Sequence, residues 1–317
     1  MNKKIWLVIA AVLVILGLIM FVSVMTVYNW DFTKLSSVKY EQNTYEISEE
    51  FEHISIETNT ADIVLLPSED GKCKVNFFEE EKQNHSVTVE NGTLVIQVVD
   101  TREWHDYIGI NFSTSKITVY LPNSEYNMLA IKESTGDIQV PSNFKFESVD
   151  ITASTGDVKH YSSSETVKIK TSTGDIRVEN ISANSLDLSV STGKVTVSGA
   201  ICEGDVKINV STGKTYLIDT KCKNLISSGN TGDISLRSVI AMEKLSIERS
   251  TGDVKFEGCD ASEIFVKTDT GDVKGTLLSD KVFIAFSDTG RIDVPKTTIG
   301  DICEITTNTG DIKMLIE

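Results

Sequence analysis

The sequence predicts an all-β protein: a single-stranded, β-helix-like β-solenoid with coils of about 19 residues, preceded by one N-terminal transmembrane helix. Two observations predict the solenoid. A Thr-Gly turn recurs ten times at intervals of 18 to 20 residues, and apolar residues alternate with polar residues on both sides of each turn. A third observation predicts the helix, because the chain begins with a long apolar segment.

The N-terminal segment has the length and polarity of a membrane span. Ile5 to Trp30 carries no charge, and about 20 apolar residues are enough to cross the hydrocarbon core as a helix. Lys3 and Lys4 precede the segment and Asp31 follows it, which predicts a cytoplasmic N-terminus and an exported chain. A cleaved signal peptide is the alternative, but its apolar region would be about 7–15 residues long, with a small-residue cleavage site. We therefore expect an uncleaved signal anchor.

These features predict five consecutive regions. They are a cytoplasmic tail (1–4), the transmembrane signal anchor (5–30), a connector (31–44), an N-terminal β region of the solenoid domain (45–130) and the Thr-Gly-Asp repeat solenoid (131–317). Asn91-Gly92 between two alternating runs predicts a type I′ hairpin turn. Thr60-Ala61-Asp62 is a degenerate copy of the repeated turn, with Ala61 in place of glycine.

Every repeat is centred on a glycine, because the chain must reverse sharply there and glycine takes positive φ without steric cost. The ten predicted structural-turn glycines are Gly136, Gly156, Gly174, Gly193, Gly213, Gly232, Gly252, Gly271, Gly290 and Gly310. Positions two and four after them, and five and seven before them, are mostly apolar, which indicates inward-facing strands. A single repeat cannot bury its own apolar face, so stacking is expected. A β-propeller is the rival fold, but its blades need about 40 residues each.

The position after the turn glycine is acidic in most repeats. Stacked coils would place these side chains about 4.8 Å apart, and like charges at that distance repel. Either hydrogen bonds to turn amides or bound calcium would relieve the repulsion. The candidate calcium ligands are Asp137, Asp157, Asp175, Asp233, Asp253 and Asp272. A purely structural turn is favoured, because three repeats carry a basic residue at this position: Lys194, Lys214 and Arg291.

One stretch interrupts the strand pattern. It contains two aromatic residues, a histidine and mixed charges, which gives two alternatives: a binding loop, or a long hairpin loop whose Trp covers the end of the sheet. The candidate binding residues are Arg102, Trp104, His105, Asp106 and Tyr107.

The five cysteines show no Cys-x-x-Cys spacing, so no metal site or redox motif is predicted from them. Cys202 and Cys222 each follow a turn glycine by nine residues and should stack at one strand spacing, within reach of a disulfide. Export makes oxidation feasible. The alternative is a small buried corner residue, because Ala183, Ala241 and Ala261 occupy the same position.

Several function classes are disfavoured. The net charge of −16 repels nucleic acid and anionic headgroups. A glycosidase needs two carboxylates at a set separation in a cleft, whereas the acids here are spread evenly along the repeats. The four histidines form no motif with Ser, Cys or acidic residues, and His160 occupies an otherwise apolar position. We therefore predict no enzymatic activity, no cofactor and no catalytic residue.

The residues just described carry a family resemblance. The Ser-Thr-Gly-Asp-Ile series, the Val-Glu-Asn-Gly-Thr-Leu-Val-Ile stretch and the Val-Tyr-Leu-Pro strand resemble the bacterial putative-adhesin domain family over about residues 45–317. The resemblance implies a family of unknown function that is often encoded beside cell-envelope stress systems in Gram-positive bacteria. It supplies no catalytic residues.

Three functions are compatible with these features. The first is a non-enzymatic, membrane-anchored binding or scaffold protein, whose partner would be the cell wall, a surface polymer or an envelope protein. The second is an accessory regulator or sensor in the envelope-stress response. The third is a self-assembling envelope protein. Only Ile312 to Glu317 follows the last turn, so we expect the final strand near a solenoid end with no evident cap, where an exposed edge invites strand addition.

Overall fold

The structure is a computed structural model that describes residues 3–35, 38–104, 106 and 113–317. An α-helix, α1 (Lys3–Val27), is followed by a 3₁₀ turn (Phe32–Leu35) and by β-strands. The strands are β1 (Tyr40–Ile47), β2 (His53–Thr60), β3 (Asp62–Pro67), β4 (Cys73–Glu80), β5 (Gln83–Glu90), β6 (Thr93–Asp100), β7 (Lys116–Leu121), β8 (Glu125–Thr135), β9 (Ile138–Val140), β10 (Lys145–Thr155), β11 (Val158–His160), β12 (Ser163–Thr173), β13 (Ile176–Glu179), β14 (Ser182–Ala183), β15 (Ser185–Thr192), β16 (Val195–Ser198), β17 (Ile201–Cys202), β18 (Asp205–Thr212), β19 (Thr215–Thr231), β20 (Ile234–Thr251), β21 (Val254–Thr270), β22 (Val273–Leu277), β23 (Lys281–Thr289), β24 (Ile292–Asp293), β25 (Asp301–Thr309) and β26 (Ile312–Ile316).

Helix α1 is long and apolar enough to cross a membrane over Lys4–Val27. Most of its large apolar side chains are exposed rather than packed on the β-structure. An exposed apolar helix of this length is stable only where something other than water covers it, so the structure is consistent with the predicted membrane span.

The predicted β-solenoid is confirmed, and the rival propeller is wrong. Each coil contributes one strand before the turn glycine and one after it, and each strand pairs in register with the same strand of the neighbouring coils. Ile169 in β12, for example, lies between Ile151 and Leu188 on parallel strands. Ile176 in β13 lies between Val158 and Val195 in the same way.

Two layers result, and their inward side chains form one continuous apolar core. We call them the long-strand layer, built from the strands that precede each turn, and the short-strand layer, built from the strands that follow it. Strands β19, β20 and β21 contribute to both layers, and their middle residues pair in a third, shorter row that also contains β14 and β17. The solenoid grows by parallel pairing, so each added coil buries the apolar face of the previous one.

The order of coils in space differs from the order in sequence at both ends. Strand β2 lies between β6 and β8, and β3 lies between β7 and β9. At the other end β25 lies between β21 and β23, and β26 lies between β22 and β24. The first and last coils of the chain are therefore each inserted one layer inside the solenoid.

This insertion corrects one expectation from the sequence. The final strand was expected near an uncapped end with an exposed edge; β26 does lie one strand from that end, but it pairs on both sides and has no exposed edge. The end of the solenoid is instead formed by β23 and β24, and we call it the distal end. We call the opposite end the capped end, because β1, β4 and β5 close it with antiparallel pairing.

The degenerate turn at Ala61 is confirmed as a coil of the stack. Thr60 pairs with Thr135, and Ile63 pairs with Ile138 in the next coil. The Asn91-Gly92 turn is also confirmed, since both residues have positive φ, 51° and 74°. The sequence signals of turn chemistry therefore identify the coil boundaries even where the glycine is missing.

The buried guanidinium of Arg249 explains why Thr215, Gly229 and Arg249 depart from the apolar pattern of the inward positions. Arg249 points inward, and its Nη1 and Nη2 atoms donate to the Val210 carbonyl (2.6 Å) and the Thr215 hydroxyl (3.0 Å). A Cβ atom on Gly229 would lie 1.8 Å from Nη1. Burial lowers the pKa of Arg249 to about 10, so it stays charged at neutral pH. Gly229 thus provides the space, and Thr215 provides an acceptor, for one charged side chain in the core.

Candidate functional site

The ten predicted turn glycines lie in one column that runs the length of the solenoid and begins at Ala61. A Cβ atom on Gly213 would lie 1.7 Å from the carbonyl oxygen of Gly193, and one on Gly136 would lie 2.2 Å from that of Ala61. Real Cβ atoms do not approach backbone this closely, so the glycine is required by the neighbouring coil as well as by its φ of 141° at Gly213.

A second column follows at once, because the next residue of each turn is the Asp position. In this column the Oδ1 atom of one coil accepts a hydrogen bond from the backbone N–H of the next coil. All six calcium candidates accept in this way, from Asp157 (2.8 Å), Asp175 (2.8 Å), Lys194 (2.8 Å), Asp253 (3.3 Å), Asp272 (2.9 Å) and Asp311 (2.7 Å) respectively. Asp62 starts the series by accepting from Asp137 (3.0 Å). The carboxylates therefore bind turn amides from coil to coil, and we call this column the carboxylate ladder.

Two of the three basic residues that interrupt the ladder, Lys194 and Lys214, form ion pairs along it. Lys194 Nζ lies 2.9 Å from Asp175 Oδ2, and Lys214 Nζ lies 3.0 Å from Asp233 Oδ2. The hydrogen bond from Lys214 lowers the pKa of Asp233. These residues reduce the repulsion within the ladder, although exposed pairs of this kind contribute little stability individually.

The ladder is not a metal cluster of the usual kind. Within residues 3–35, 38–104, 106 and 113–317, no group of three or more His, Cys, Asp or Glu residues is arranged to hold a metal ion. Calcium at the ladder stays a prediction, and its ligands would be single carboxylates from successive coils.

The predicted binding loop is tied to the capped end by ion pairs. Arg102 contacts Asp100 (2.6 Å) and Glu80 (3.4 Å), and Lys82 contacts Asp106 (2.6 Å). Trp104 is 77% exposed. His105 and Tyr107 lie outside the described residues. An exposed Trp held beside charged groups offers an apolar surface for a partner, so the binding loop stays a prediction.

The predicted cysteine pair is adjacent but not bonded in the structure. Ile201 pairs with Lys221 on neighbouring strands, so Cys202 and Cys222, one residue further on, occupy matching positions. All five cysteines are buried free thiols, and burial raises the pKa of Cys222 to about 12. A thiol with so high a pKa reacts slowly, so the disulfide stays a prediction that depends on oxidation during export.

Sequence reasoning missed a buried polar group at the capped end. His85 Nδ1 lies 2.7 Å from Glu79 Oε2, and His85 Nε2 lies 2.8 Å from the Thr58 hydroxyl. The order hydroxyl–imidazole–carboxylate is that of a hydrolytic triad, but all three side chains are buried, so no substrate surface reaches them in the described part of the chain. The group links β2, β4 and β5 and thereby joins the cap to the first coil.

Glu133 is a second buried group that sequence reasoning missed. It lies beside the first turns of the column, where its Oε1 accepts from Thr135 N–H at 2.9 Å, and Oε2 is buried without a hydrogen-bond partner. Burial raises the pKa of Glu133 to about 7. The signal in the sequence was an acidic residue three positions before a turn glycine, where the other repeats have small, apolar or hydroxyl residues or Arg249.

His160 behaves as expected for a core position. It pairs with Val140 and Val178 on the neighbouring strands and is fully buried. Burial lowers its pKa to about 4, so the ring is neutral at physiological pH. A neutral buried imidazole fills the apolar column and is not placed to contact a ligand.

A groove with a volume of about 850 Å³ lies at the corner of the capped end. Phe51 and Tyr126 stack in it with ring centroids 6.0 Å apart, and Glu46, Glu52 and Glu125 line it. Aromatic faces beside carboxylates suit a ligand that has both apolar and cationic or hydroxyl groups.

Several solved structures are similar to this chain in fold. The structure of a protein from Bacteroides fragilis, described as a putative adhesin, is 16% identical with a TM-score of 0.45, over 87% of this chain and 97% of that one. One from Parabacteroides distasonis is 12% identical with a TM-score of 0.44, over 88% and 98%. Another from P. distasonis, described as a putative lipid binding protein, is 12% identical with a TM-score of 0.40, over 88% and 98%.

No curated protein matches the chain. The profile of one protein family does match, in two overlapping stretches that together cover nearly all of the β-structure, residues 51–213 and 201–317. The matched stretches contain the turn column, the carboxylate ladder and both layers of the core. The chain therefore belongs to the Toastrack DUF4097 family.

Proposed function

We propose that this chain is a non-enzymatic, membrane-anchored protein of the bacterial cell envelope whose solenoid presents a binding or scaffold surface outside the membrane. The observation that supports the proposal most strongly is the short connection between helix α1 and the solenoid. Only residues 28–39 separate α1 from β1, the edge strand of the capped end. A membrane-spanning α1 would hold the capped end near the bilayer, and the charge distribution around α1 favours export of the solenoid.

The outward side of the long-strand layer supplies the surface. Asp150, Lys168, Asp187 and Lys207 occupy matching outward positions in four successive coils. Alternating charges at about 4.8 Å spacing fit a partner with regularly spaced charges of both signs, such as a surface polymer or an extended protein segment. The groove beside Phe51 and Tyr126 adds an aromatic site at the capped end.

Site-specific photo-crosslinking of the full chain in intact cells tests this proposal. Crosslinkers would replace Lys168, Asp187 and Phe51 one at a time, and a crosslinker at the buried Val167 would serve as the control. We expect adducts with wall polymer or an envelope protein from the outward positions and none from Val167. Adducts with a membrane sensor would instead favour the regulatory alternative.

Two results would overturn the proposal. If all three outward positions yield no adduct while the solenoid is accessible to protease outside the cell, the chain has no binding partner on these surfaces. If external protease does not reach the solenoid until the membrane is broken, the predicted topology is wrong.

A further inference from the structure

Five strands within the described residues are edge strands, and four of them carry features that prevent further pairing. β14 is only two residues long and pairs with β17 alone. β1 carries Glu41 and Glu46, and β5 ends in Glu90. β24 is two residues long and is followed closely by Pro295. Charges, short length and proline at an edge are known devices against strand addition.

The remaining edge strand, β23 at the distal end, is different. It has nine residues and no proline, and one of its sides pairs with β25, whereas no described strand pairs with the other. Ile284 is 54% exposed and Phe286 is 55% exposed on its outward face. On its inward face Phe283 and Ala285 are only partly buried, because no further coil covers the end of the core. β23 is therefore an apolar, β-favouring edge on both faces.

The only charged group on the inward face of β23 is already neutralised. Lys281 is buried, and its Nζ lies 2.8 Å from Asp260 and 3.5 Å from Asp301. Its ion pairs lie on the solenoid side, so they do not repel or attract an added strand. The exposed part of β23 thus offers mainly apolar side chains and backbone groups, and Asp288 near its C-terminal end is its one exposed charged residue.

We propose that β23 pairs antiparallel with β23 of a second copy of this chain, so that two solenoids join at their distal ends. In antiparallel pairing, side chains directly opposite each other lie on the same face. A two-fold axis at Ala285 places Ile284 opposite Phe286 on the outward face and Phe283 opposite Ser287 on the inward face. No like charges face each other, and the apolar core continues from one copy into the other.

The second copy is favoured over other arrangements by charge and symmetry. The chain is strongly acidic, so side-by-side contact along the solenoid is repulsive. Head-to-tail contact would place β23 against β1 or β5, whose edges carry glutamates. A two-fold contact through one self-complementary strand closes on itself and yields a dimer rather than a filament. The inference does not depend on the ligand in the proposed function.

The test is the oligomeric state of the full chain, reconstituted in nanodiscs and measured by analytical ultracentrifugation over a range of concentrations. The test variant carries Ile284→Lys and Phe286→Lys, which change exposed side chains only. The matched control is Ile226→Lys, because Ile226 is 38% exposed at the equivalent outward position of a middle coil. We expect wild type and the control to dimerise and the double variant to be about 100-fold weaker, since paired edges would then place like charges together.

A cysteine variant distinguishes the arrangement of the two copies. Ala285→Cys places one thiol on the two-fold axis, so mild oxidation should give a covalent dimer of the full chain, whereas Ile226→Cys should not. A wild-type chain that stays monomeric overturns the proposal, as does dimerisation that the double lysine variant leaves unchanged. Dimerisation without a covalent Ala285→Cys dimer overturns the antiparallel contact. If a molecule other than a second copy is found bound at β23, that molecule is the occupant and the proposal is overturned.

Discussion

At the scale of single residues, the turn glycine performs two tasks that are separable. It adopts a φ that side chains disfavour, and it leaves room for the carbonyl of the neighbouring coil. The first task is common to most turn glycines, whereas the second arises only because the coils stack. The column thus limits the spacing of the coils as well as the direction of the chain.

We expect Gly213→Ala to destabilise the solenoid by more than about 4 kcal/mol, because its Cβ would overlap backbone that cannot move without separating two coils. Gly92→Ala is the matched control. Gly92 also has positive φ, but a Cβ there would meet no atom within 4 Å, so the cost should be about 1 kcal/mol. Urea unfolding measures both, and equal losses would show that φ alone explains the glycines.

The raised pKa of Glu133 predicts that the stability of the fold depends on pH. Burial raises its pKa from the ordinary value of 4.5 to about 7 in the folded chain. Between these values the folded chain binds more protons than the unfolded chain, so the free energy of unfolding falls as pH rises through this window. Glu133→Gln cannot ionise and should remove about 1–3 kcal/mol of this fall.

The measurement is chemical unfolding at pH 5 and pH 8 for wild type and Glu133→Gln. Glu147→Gln, an exposed glutamate in the next coil, controls for the loss of one negative charge. The difference in stability between the two pH values should shrink only in Glu133→Gln. An equal difference in all three proteins would show that Glu133 is ionised at pH 5.

Expectations for single residues were confirmed where they rest on positions within one repeat. They failed where residues from distant parts of the sequence meet. The inward positions and the Ala61 turn follow from period-two alternation and turn chemistry within one repeat. The sequence did not predict the Thr58–His85–Glu79 group, because its members come from three strands and have no regular spacing in the sequence. The Arg249 network was detectable in principle, because Thr215, Gly229 and Arg249 depart from the apolar pattern in successive repeats.

At the scale of elements, the inserted coils determine how the solenoid ends. The coils at both ends of the stack are held by a strand that comes from elsewhere in the sequence. A terminal coil with one neighbour would fray, whereas an inserted last coil is paired on both sides. The insertion places the C-terminal strand where it cannot peel away without opening the coil above it.

Engineered cysteine pairs test this order of coils. Lys267 and Thr306 are register partners on β21 and β25, about 4.8 Å apart, which a disulfide can bridge. Lys267→Cys with Thr306→Cys should therefore crosslink under mild oxidation. Lys267→Cys with Phe286→Cys should not, because β25 separates their strands by two spacings, about 9.6 Å. The native thiols are all buried and should not interfere. If the Lys267→Cys and Phe286→Cys pair crosslinks and the Lys267→Cys and Thr306→Cys pair does not, the coils stack in chain order.

The sequence could not reveal this insertion, for a physical reason. The repeats share the same turn and the same apolar positions, so any coil can stack on any other with similar burial. Only the connections between coils distinguish the arrangements. The stretch from Val294 to Gly300, with its proline, is the sequence feature that carries the chain from β24 back to β25.

At the scale of the whole molecule, the chain is a stack of coils with a strongly acidic net charge, and some of its carboxylates follow one another along the ladder. Hydrogen bonds to amides stabilise each carboxylate locally, but they do not remove the charge. The net repulsion is therefore a property of the whole stack, and dissolved ions should screen it.

General screening and calcium binding predict different responses of the melting temperature to added salt. We expect the melting temperature to rise with ionic strength, and to rise equally for calcium and magnesium chloride at the same ionic strength, because the Oδ1 atoms of the ladder are already hydrogen-bonded to backbone amides. Chelation of calcium at constant ionic strength should leave the melting temperature unchanged. A melting temperature that falls by several degrees on chelation, and recovers with calcium but not with magnesium, would show that the ladder binds calcium. Asp157→Asn would then distinguish the two roles, since the amide oxygen keeps the hydrogen bond to Asp175 N–H but weakens a cation site.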